Sequence, residues 1–447
     1  MTELMLKKIK KNPDFTKIKW NQDYVRVTYT YNKQQETCSL REYNNSRMKL
    51  PPIDKFEVLP VSENVIELLK HYDTNVKLNT FKFEHDIYIN NKLDKDIDLE
   101  SIIIKSYQRT IKHGNKISKI DITDSIIDIS KDNKYNPISE YLKKCHKYYN
   151  KNHDKDIFKK LCNTIETTSK YKELYISKFL LQMVYLACSD TKEDTPPALN
   201  LILLGKQSIG KSTWLKNLLP KDLQNDYFIE RHLDLNSPAA RDSIAQATTN
   251  WLVELGEITA TFKKSELNAL KQFLTAPKDK FRLPYAREPI TRKRRCSFCG
   301  TTNNLEFLAD LTGNRRYAIL ECLSIDIEAK IDIDMLWGYF YNLYLMKKPY
   351  YFNKVETIEL EIENKKYLIK SEKMLFLEQY FDLSPNTENI EEEEFLTANQ
   401  IFSKIKDNID NPFKKYTLGR ELKKFNVLCR YNKHKKIDEF FIKYIGE

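Results

Sequence analysis

The 447-residue sequence carries 74 Lys and Arg against 63 Asp and Glu, a formal net charge of +11, with 8 cysteines, 15 prolines and only 9 glycines. Average usage of ~7% would give roughly 31 glycines in such a chain, so collagen-like and Gly/Ser-linker classes are excluded, and the cysteine count excludes a disulfide scaffold. At 41% hydrophobic and 31% charged residues it is a globular chain, long enough for about three cores at roughly 150 residues each.

The positive charge is concentrated in three places. Residues 1–50 hold 11 Lys/Arg against 5 Asp/Glu, residues 278–295 hold 8 against 2, and residues 411–447 hold 10 against 4. Such concentrations point to a polyanion partner, with nucleic acid first. Met1 to Lys8 contains no apolar core and no small-residue cleavage site, so the expectation is a cytoplasmic protein without a signal peptide.

In chain order, residues 1–70 read as a basic, β-rich region. Lys17–Trp20 and Tyr24–Tyr31 alternate β-branched and aromatic residues as strands do. Residues 71–165 read as mixed and then helical, with a break at Asn136-Pro137. A helix is expected over Lys172–Cys188; its apolar run Phe179–Cys188 is interrupted by Gln182 and falls short of the ~20 residues a membrane span needs. From Leu199 to about Leu320 short apolar strands alternate with helices, the pattern of an α/β fold. Residues 371–395 read as an acidic linker.

Leu199–Leu204 runs directly into Gly205-Lys-Gln207-Ser208-Ile-Gly210-Lys211-Ser212-Thr213 and then into Trp214–Leu219. This is strand, G-x-x-x-x-G-K-S loop, helix. The glycines let backbone N–H groups wrap a β/γ-phosphate, Lys211 supplies a point charge and Ser212 offers a hydroxyl to Mg²⁺. The expected ligand is ATP with Mg²⁺. Asn250–Ile258 then places Glu254 at the end of an apolar strand and Glu257 just past Gly256. A carboxylate there can hold Mg²⁺ and a second can polarise the attacking water.

Phe281–Arg287, Arg294–Asn304 and Phe307–Tyr317, in this order after the phosphate loop and Trp251-Leu-Val-Glu254-Leu, resemble the virulence-associated protein E family. Those are AAA+ ATPases similar to superfamily 3 helicases of phages, plasmids and chromosomal islands. The resemblance covers about residues 75–350 and is strongest over 199–320. It implies an AAA+ P-loop core over 166–370, with Asn303 as the sensor of the γ-phosphate or attacking water. It also implies Arg315 and Arg316 as the arginine-finger region, reaching into a neighbouring subunit's ATP, hence a homo-oligomer, expected as a hexamer. One departure is a single Glu plus a spaced Glu in place of two adjacent carboxylates.

Two β-like runs, Lys280–Tyr285 and Arg294–Cys299, flank Ala286–Lys293 and read as a basic hairpin; the related helicases place a DNA-tracking hairpin at this point. Arg282, Arg287, Arg292 and Lys293 are its expected contacts with single-stranded DNA in a central channel, the last three at the tip. Cys296-x-x-Cys299 has no second Cys/His pair at zinc-ribbon spacing. In residues 396–447, helices from Thr397 and Thr417 precede a hairpin turning at Asn432–Lys436. This order suggests a winged-helix-like DNA-binding domain, with Arg420, Lys423, Lys424, Lys435 and Lys436 as contacts to duplex origin DNA.

The sequence thus predicts an ATP-dependent DNA helicase or replication initiator of a mobile element, working as a ring. The alternative is an ATP-regulated origin-binding or regulatory protein that does not unwind. A P-loop kinase is a third reading, in which nucleotide turnover ignores DNA. Five of the nine glycines (Gly205, Gly210, Gly256, Gly300, Gly313) lie in or beside the proposed nucleotide motifs.

Overall fold

The computed structural model describes residues 20–46, 49–59, 61–112, 117–188, 196–231, 240–256, 264–281, 290–305, 308, 314–367, 372–383, 395–406, 412–414, 417–424 and 427–445. It is a mixed α/β structure with several separate hydrophobic cores.

The N-terminal part holds β1 (Val25–Tyr31), β2 (Gln34–Ser39) and β3 (Ile53–Val58) in the order β2-β1-β3, then β4 (Thr74–Asn79), β5 (Glu84–Ile89) and β6 (Lys92–Asp94) in a second antiparallel sheet. Val25 and Val27 are buried while Arg26 between them is exposed, the period of a half-buried strand. One core joins Trp20, Val27 and Ile53 to Val65, Val76, Ile102, Ile122 and Ile129. The boundary expected at residue 70 therefore runs through a single core rather than between two. Of the expected strand Lys17–Trp20, three residues lie outside the described ones, and Trp20 is not in a strand.

A second core begins near residue 137 and includes the helices Pro137–Asn152, Ile157–Cys162, Lys172–Cys188 and Ile333–Leu345. The first two of these fall before the boundary expected at residue 166. Gly338 lets two helices touch: a Cβ there would stand 2.3 Å from the Cys145 carbonyl oxygen. Gln182, the polar interruption in an otherwise apolar helix, is fully buried and satisfied. Its side-chain oxygen accepts from the N–H groups of Ala198 (2.6 Å) and Leu199 (3.0 Å), and Nε2 donates to the Leu199 carbonyl at 2.9 Å. It thereby supplies partners for the backbone that enters the central sheet.

That sheet contains β7 (Ile165–Thr167), β8 (Asn200–Leu204), β9 (Phe228–Arg231), β10 (Leu252–Leu255), β13 (Ser297–Thr302) and β14 (Tyr317–Ile325) in the order β7-β14-β8-β13-β10-β9. All pairs except β7–β14 are parallel. Every residue of β8 and β10 is buried, as parallel strands covered on both faces require. Strand β13 lies between β8 and β10, so chain order and spatial order differ.

The basic hairpin differs from expectation. Strands β11 (Lys278–Phe281) and β12 (Ile290–Lys293) pair antiparallel, and the next segment leaves the hairpin to become β13. The cause is Arg294, which is 1% exposed. Its Nε and Nη2 donate to Asp279 at 2.8 and 2.5 Å, Nη1 donates to the Phe273 carbonyl at 2.9 Å, and the guanidinium lies over the Phe273 and Phe298 rings. Arg292 is corrected as well. It is not at the tip but buried in β12, where it donates to the Phe81 carbonyl and to Thr248 Oγ1. Lys293, also expected at the tip, is in β12 opposite Lys278, and Arg282 and the tip residue Arg287 lie outside the described residues.

At the C-terminal end, β16 (Phe395–Thr397), β17 (Cys429–Asn432) and β18 (Ile437–Phe441) form a sheet in the order β16-β18-β17. It packs with the helices Ala398–Ile405 and Leu418–Lys424, the first capped by Thr397 in a capping box with Gln400. Residues Glu372–Tyr380 form a helix, and β15 (Phe381–Asp382) pairs with β19 (Lys443–Tyr444). Phe376, Leu377 and Phe381 lie in the C-terminal core, so this part of the expected linker is folded.

Removing one partner of a buried ion pair strands the other charge. Asp279→Ala is expected to cost about 3–5 kcal/mol, whereas Asp279→Leu with Arg294→Met recovers most of it; chemical unfolding followed by tryptophan fluorescence checks both.

Candidate nucleotide site

The site lies at the C-terminal ends of β8, β10 and β13. Gly210 ends the loop as the N-cap of the helix Lys211–Asn217, with φ +91°, a left-handed conformation natural to glycine. Gln207 and Ser208 are exposed in the loop, and Thr213 is exposed one turn into the helix.

Lys211 is 7% exposed, and its three ammonium protons are all engaged. Nζ donates to the carbonyls of Gly205 and Lys206, each at 2.7 Å, and to Asn303 Oδ1 at 2.8 Å. Burial pushes its pKa down. Asn303, two residues past Thr301 at the end of β13, thereby touches the loop lysine although 92 positions separate them.

Glu254 is fully buried at the end of β10. Its Oε1 accepts from Ser212 Oγ at 2.6 Å and from Thr301 Oγ1 at 2.9 Å. Oε2 is buried with no hydrogen-bond partner. Burial raises the carboxyl pKa, the two hydroxyl donors oppose that, and Glu230, its register partner on β9, adds to it. Ser212 spends its proton on Glu254, which leaves the hydroxyl lone pairs for another electrophile. An orphaned carboxylate oxygen beside a free hydroxyl oxygen suits a hard cation such as Mg²⁺. Among the described residues no group of three or more His, Cys, Asp or Glu could form a metal cage. Mg²⁺ binds through one or two protein oxygens together with phosphates and water.

The structure brings Gly205, Gly210, Lys211, Ser212, Glu254 and Asn303 together; Glu257 lies outside the described residues. Thr301 was missed by sequence reasoning. No local signal marks it: only its place in the sheet beside Glu254 makes this threonine a donor.

Arg315 and Arg316 are not at this site. They form a short turn before β14, where Tyr317 pairs with Asn200 and the Asn200 side chain donates to the Arg316 carbonyl at 3.1 Å. This is the opposite end of β8 from the loop, about 16 Å away at ~3.3 Å per strand residue. Arg315 is exposed and Arg316 half-buried.

The expected C-terminal contacts are mixed. Arg420 is exposed, and Lys436 occupies the hairpin turn with φ +51°. Lys423 pairs with Asp438, and Lys435 with Glu439 at 3.0 Å. The Lys424 side chain lies outside the described residues.

A carboxyl whose pKa is raised in the folded state opposes folding as pH climbs through the window between its ordinary and raised values. Glu254→Gln keeps an oxygen acceptor for Ser212 and Thr301 and removes the charge. The variant is expected to be more stable than the parent at pH 8, the difference shrinking as pH falls toward 4; thermal unfolding at several pH values checks this.

A family model described as the virulence-associated protein E-like domain matches residues 142–369, about half of the chain. Two solved structures resemble the fold, both of the NrS-1 C-terminal region (305-718) in apo form. One is 13% identical with a TM-score of 0.45, covering 85% of this chain and 98% of that one. The other is 12% identical with a TM-score of 0.43, covering 86% and 100%. No curated protein matches the sequence. The order of motifs expected of this family and the span of the matching model agree, and the chain belongs to the virulence-associated protein E-like family.

Proposed function

We propose that the chain is an ATP-hydrolysing DNA helicase serving replication of a mobile element, with an AAA+ core and a winged-helix-like C-terminal domain. The observation that carries the reading is the interlock of Lys211, Ser212, Glu254 and Asn303 around a G-x-x-x-x-G-K-S loop. The insertion of β13 between β8 and β10 supports it, because the inserted strand delivers Asn303 to the loop lysine. Helix, helix and β-hairpin over residues 398–441 support the winged-helix reading.

In this mechanism Lys211 exchanges its bonds to the loop carbonyls for β- and γ-phosphate oxygens. Ser212 and Glu254 would hold Mg²⁺, which supplies positive charge against the phosphate oxygens when bound. Asn303 orients the attacking water, whose proton passes to Glu257 or Glu254. The O–P bond to water forms as the bond between the γ-phosphorus and the bridging oxygen breaks, releasing ADP and phosphate. Charge on the transferring group needs a guanidinium. Arg315 and Arg316 stand too far from their own loop, so a neighbouring copy supplies it, in a ring. Arg282, Arg287 and Lys293 would track one DNA strand, with Arg292 withdrawn from that role by its burial.

Lys211→Ala is expected to lower ATP turnover at least about a hundredfold while leaving cooperative unfolding intact. Mixing it with Arg315→Ala chains restores part of the turnover, since each supplies what the other lacks. Full turnover by Lys211→Ala alone contradicts the site. Strand displacement on forked DNA with and without ATP tests the motor: turnover that ignores DNA contradicts it.

A further inference from the structure

The hairpin of β17 and β18 is held in one shape by a buried acid. The Glu439 side chain is 2% exposed, and its carboxylate accepts from Arg430 Nε, Asn432 Nδ2 and Lys435 Nζ, each at 3.0 Å. Asn432 Oδ1 in turn accepts from the backbone N–H groups of His434 and Lys435, each at 3.1 Å, and Lys436 closes the turn with φ +51°. A turn ordered in advance loses little entropy when it binds a partner.

Its charge says which partner. From Leu428 to Ile437 there is no Asp or Glu, against Arg430, Lys433, Lys435 and Lys436. The two acids of β18 are engaged inside the domain, Asp438 with Lys423 of the preceding helix and Glu439 with Arg430 and Lys435. On that helix Glu421 faces Lys373 at 3.6 Å. Lys433 and Lys436 are exposed and have no side-chain partner among the described residues. Tyr431 stands beside them, 60% exposed, and its side chain likewise has no partner among the described residues. In the register it lies opposite Asp438, hence on the face of the hairpin that Lys423 meets. Lys423, a cation expected to read a duplex, is thus committed to the hairpin. A duplex hides the faces of its bases. An aromatic ring in water beside two free lysines suits an unpaired base, which stacks on the ring while its phosphates meet the cations.

We infer that the β17–β18 hairpin is a contact for single-stranded DNA, in which Tyr431 stacks on an unpaired base while Lys433 and Lys436 meet the phosphates beside it. The inference rests on the DNA-binding reading given above. It changes the ligand of this domain from duplex to single strand and adds Tyr431 and Lys433 to its contacts.

The test uses the full chain without nucleotide, so that it does not depend on the ATP site. Binding of a fluorescent oligothymidylate and of a blunt duplex of the same length is read by anisotropy. Tyr431→Ala is expected to weaken single-strand binding at least about fivefold and duplex binding by less than about twofold. Tyr431→Phe, which keeps the ring, binds the single strand within about twofold of the parent. Lys433→Ala with Lys436→Ala lowers the slope of log affinity against log salt by about 1.4, two phosphates at ~0.7 each. A single strand carrying iododeoxyuridine, irradiated on the parent chain, is expected to crosslink to the peptide that contains Tyr431. That reading separates this contact from any other DNA site on the chain and needs no variant. Single-strand affinity unchanged in Tyr431→Ala, an equal loss on the duplex, or a crosslink found only elsewhere overturns the inference and leaves DNA binding standing. A parent that binds neither oligonucleotide overturns the DNA-binding reading together with it.

Discussion

A carboxylate removed from water must be compensated on both oxygens, and Glu254 is compensated on only one. That imbalance governs the rest of the architecture. Two hydroxyls, from the helix that follows the G-x-x-x-x-G-K-S loop and from the neighbouring strand, hold Oε1 in place while Oε2 has no hydrogen-bond partner. For both hydroxyls to reach one oxygen, β13 has to lie between β8 and β10. The same strand then ends at Asn303, whose side chain meets Lys211. A single strand insertion thus ties the acid, the hydroxyl, the amide and the lysine into one unit.

Much of this is legible in the sequence. The helix over Lys172–Cys188, the strand into the G-x-x-x-x-G-K-S loop and the apolar strand ending in Glu254 follow from local pattern, because each element's burial is written in its own residues. Asn303 came from the resemblance, and its contact with Lys211 is a matter of sheet order, which periodicity does not encode. Thr301 escaped because a threonine in a strand is ordinary; only the register across β13 makes it a donor to Glu254.

The misreadings have one cause. The charge count over 278–295 predicts a basic surface, whereas Arg292 and Arg294 are buried, the latter with Asp279 as a bidentate partner between two phenylalanine rings. Charge counts along a sequence do not separate solvated cations from those paired inside. Near residue 70 the composition changes, while β1, β3 and the helices after them share one core. A change of composition marks a change of element, not a gap between cores.

Calorimetric titration of the chain with ATP, with and without Mg²⁺, tests the central claim most directly. Saturable one-to-one binding is expected, weakened at least about tenfold both by chelating Mg²⁺ and by Ser212→Ala. Binding indifferent to both contradicts the assignment of Ser212 and Glu254 to a metal–nucleotide site.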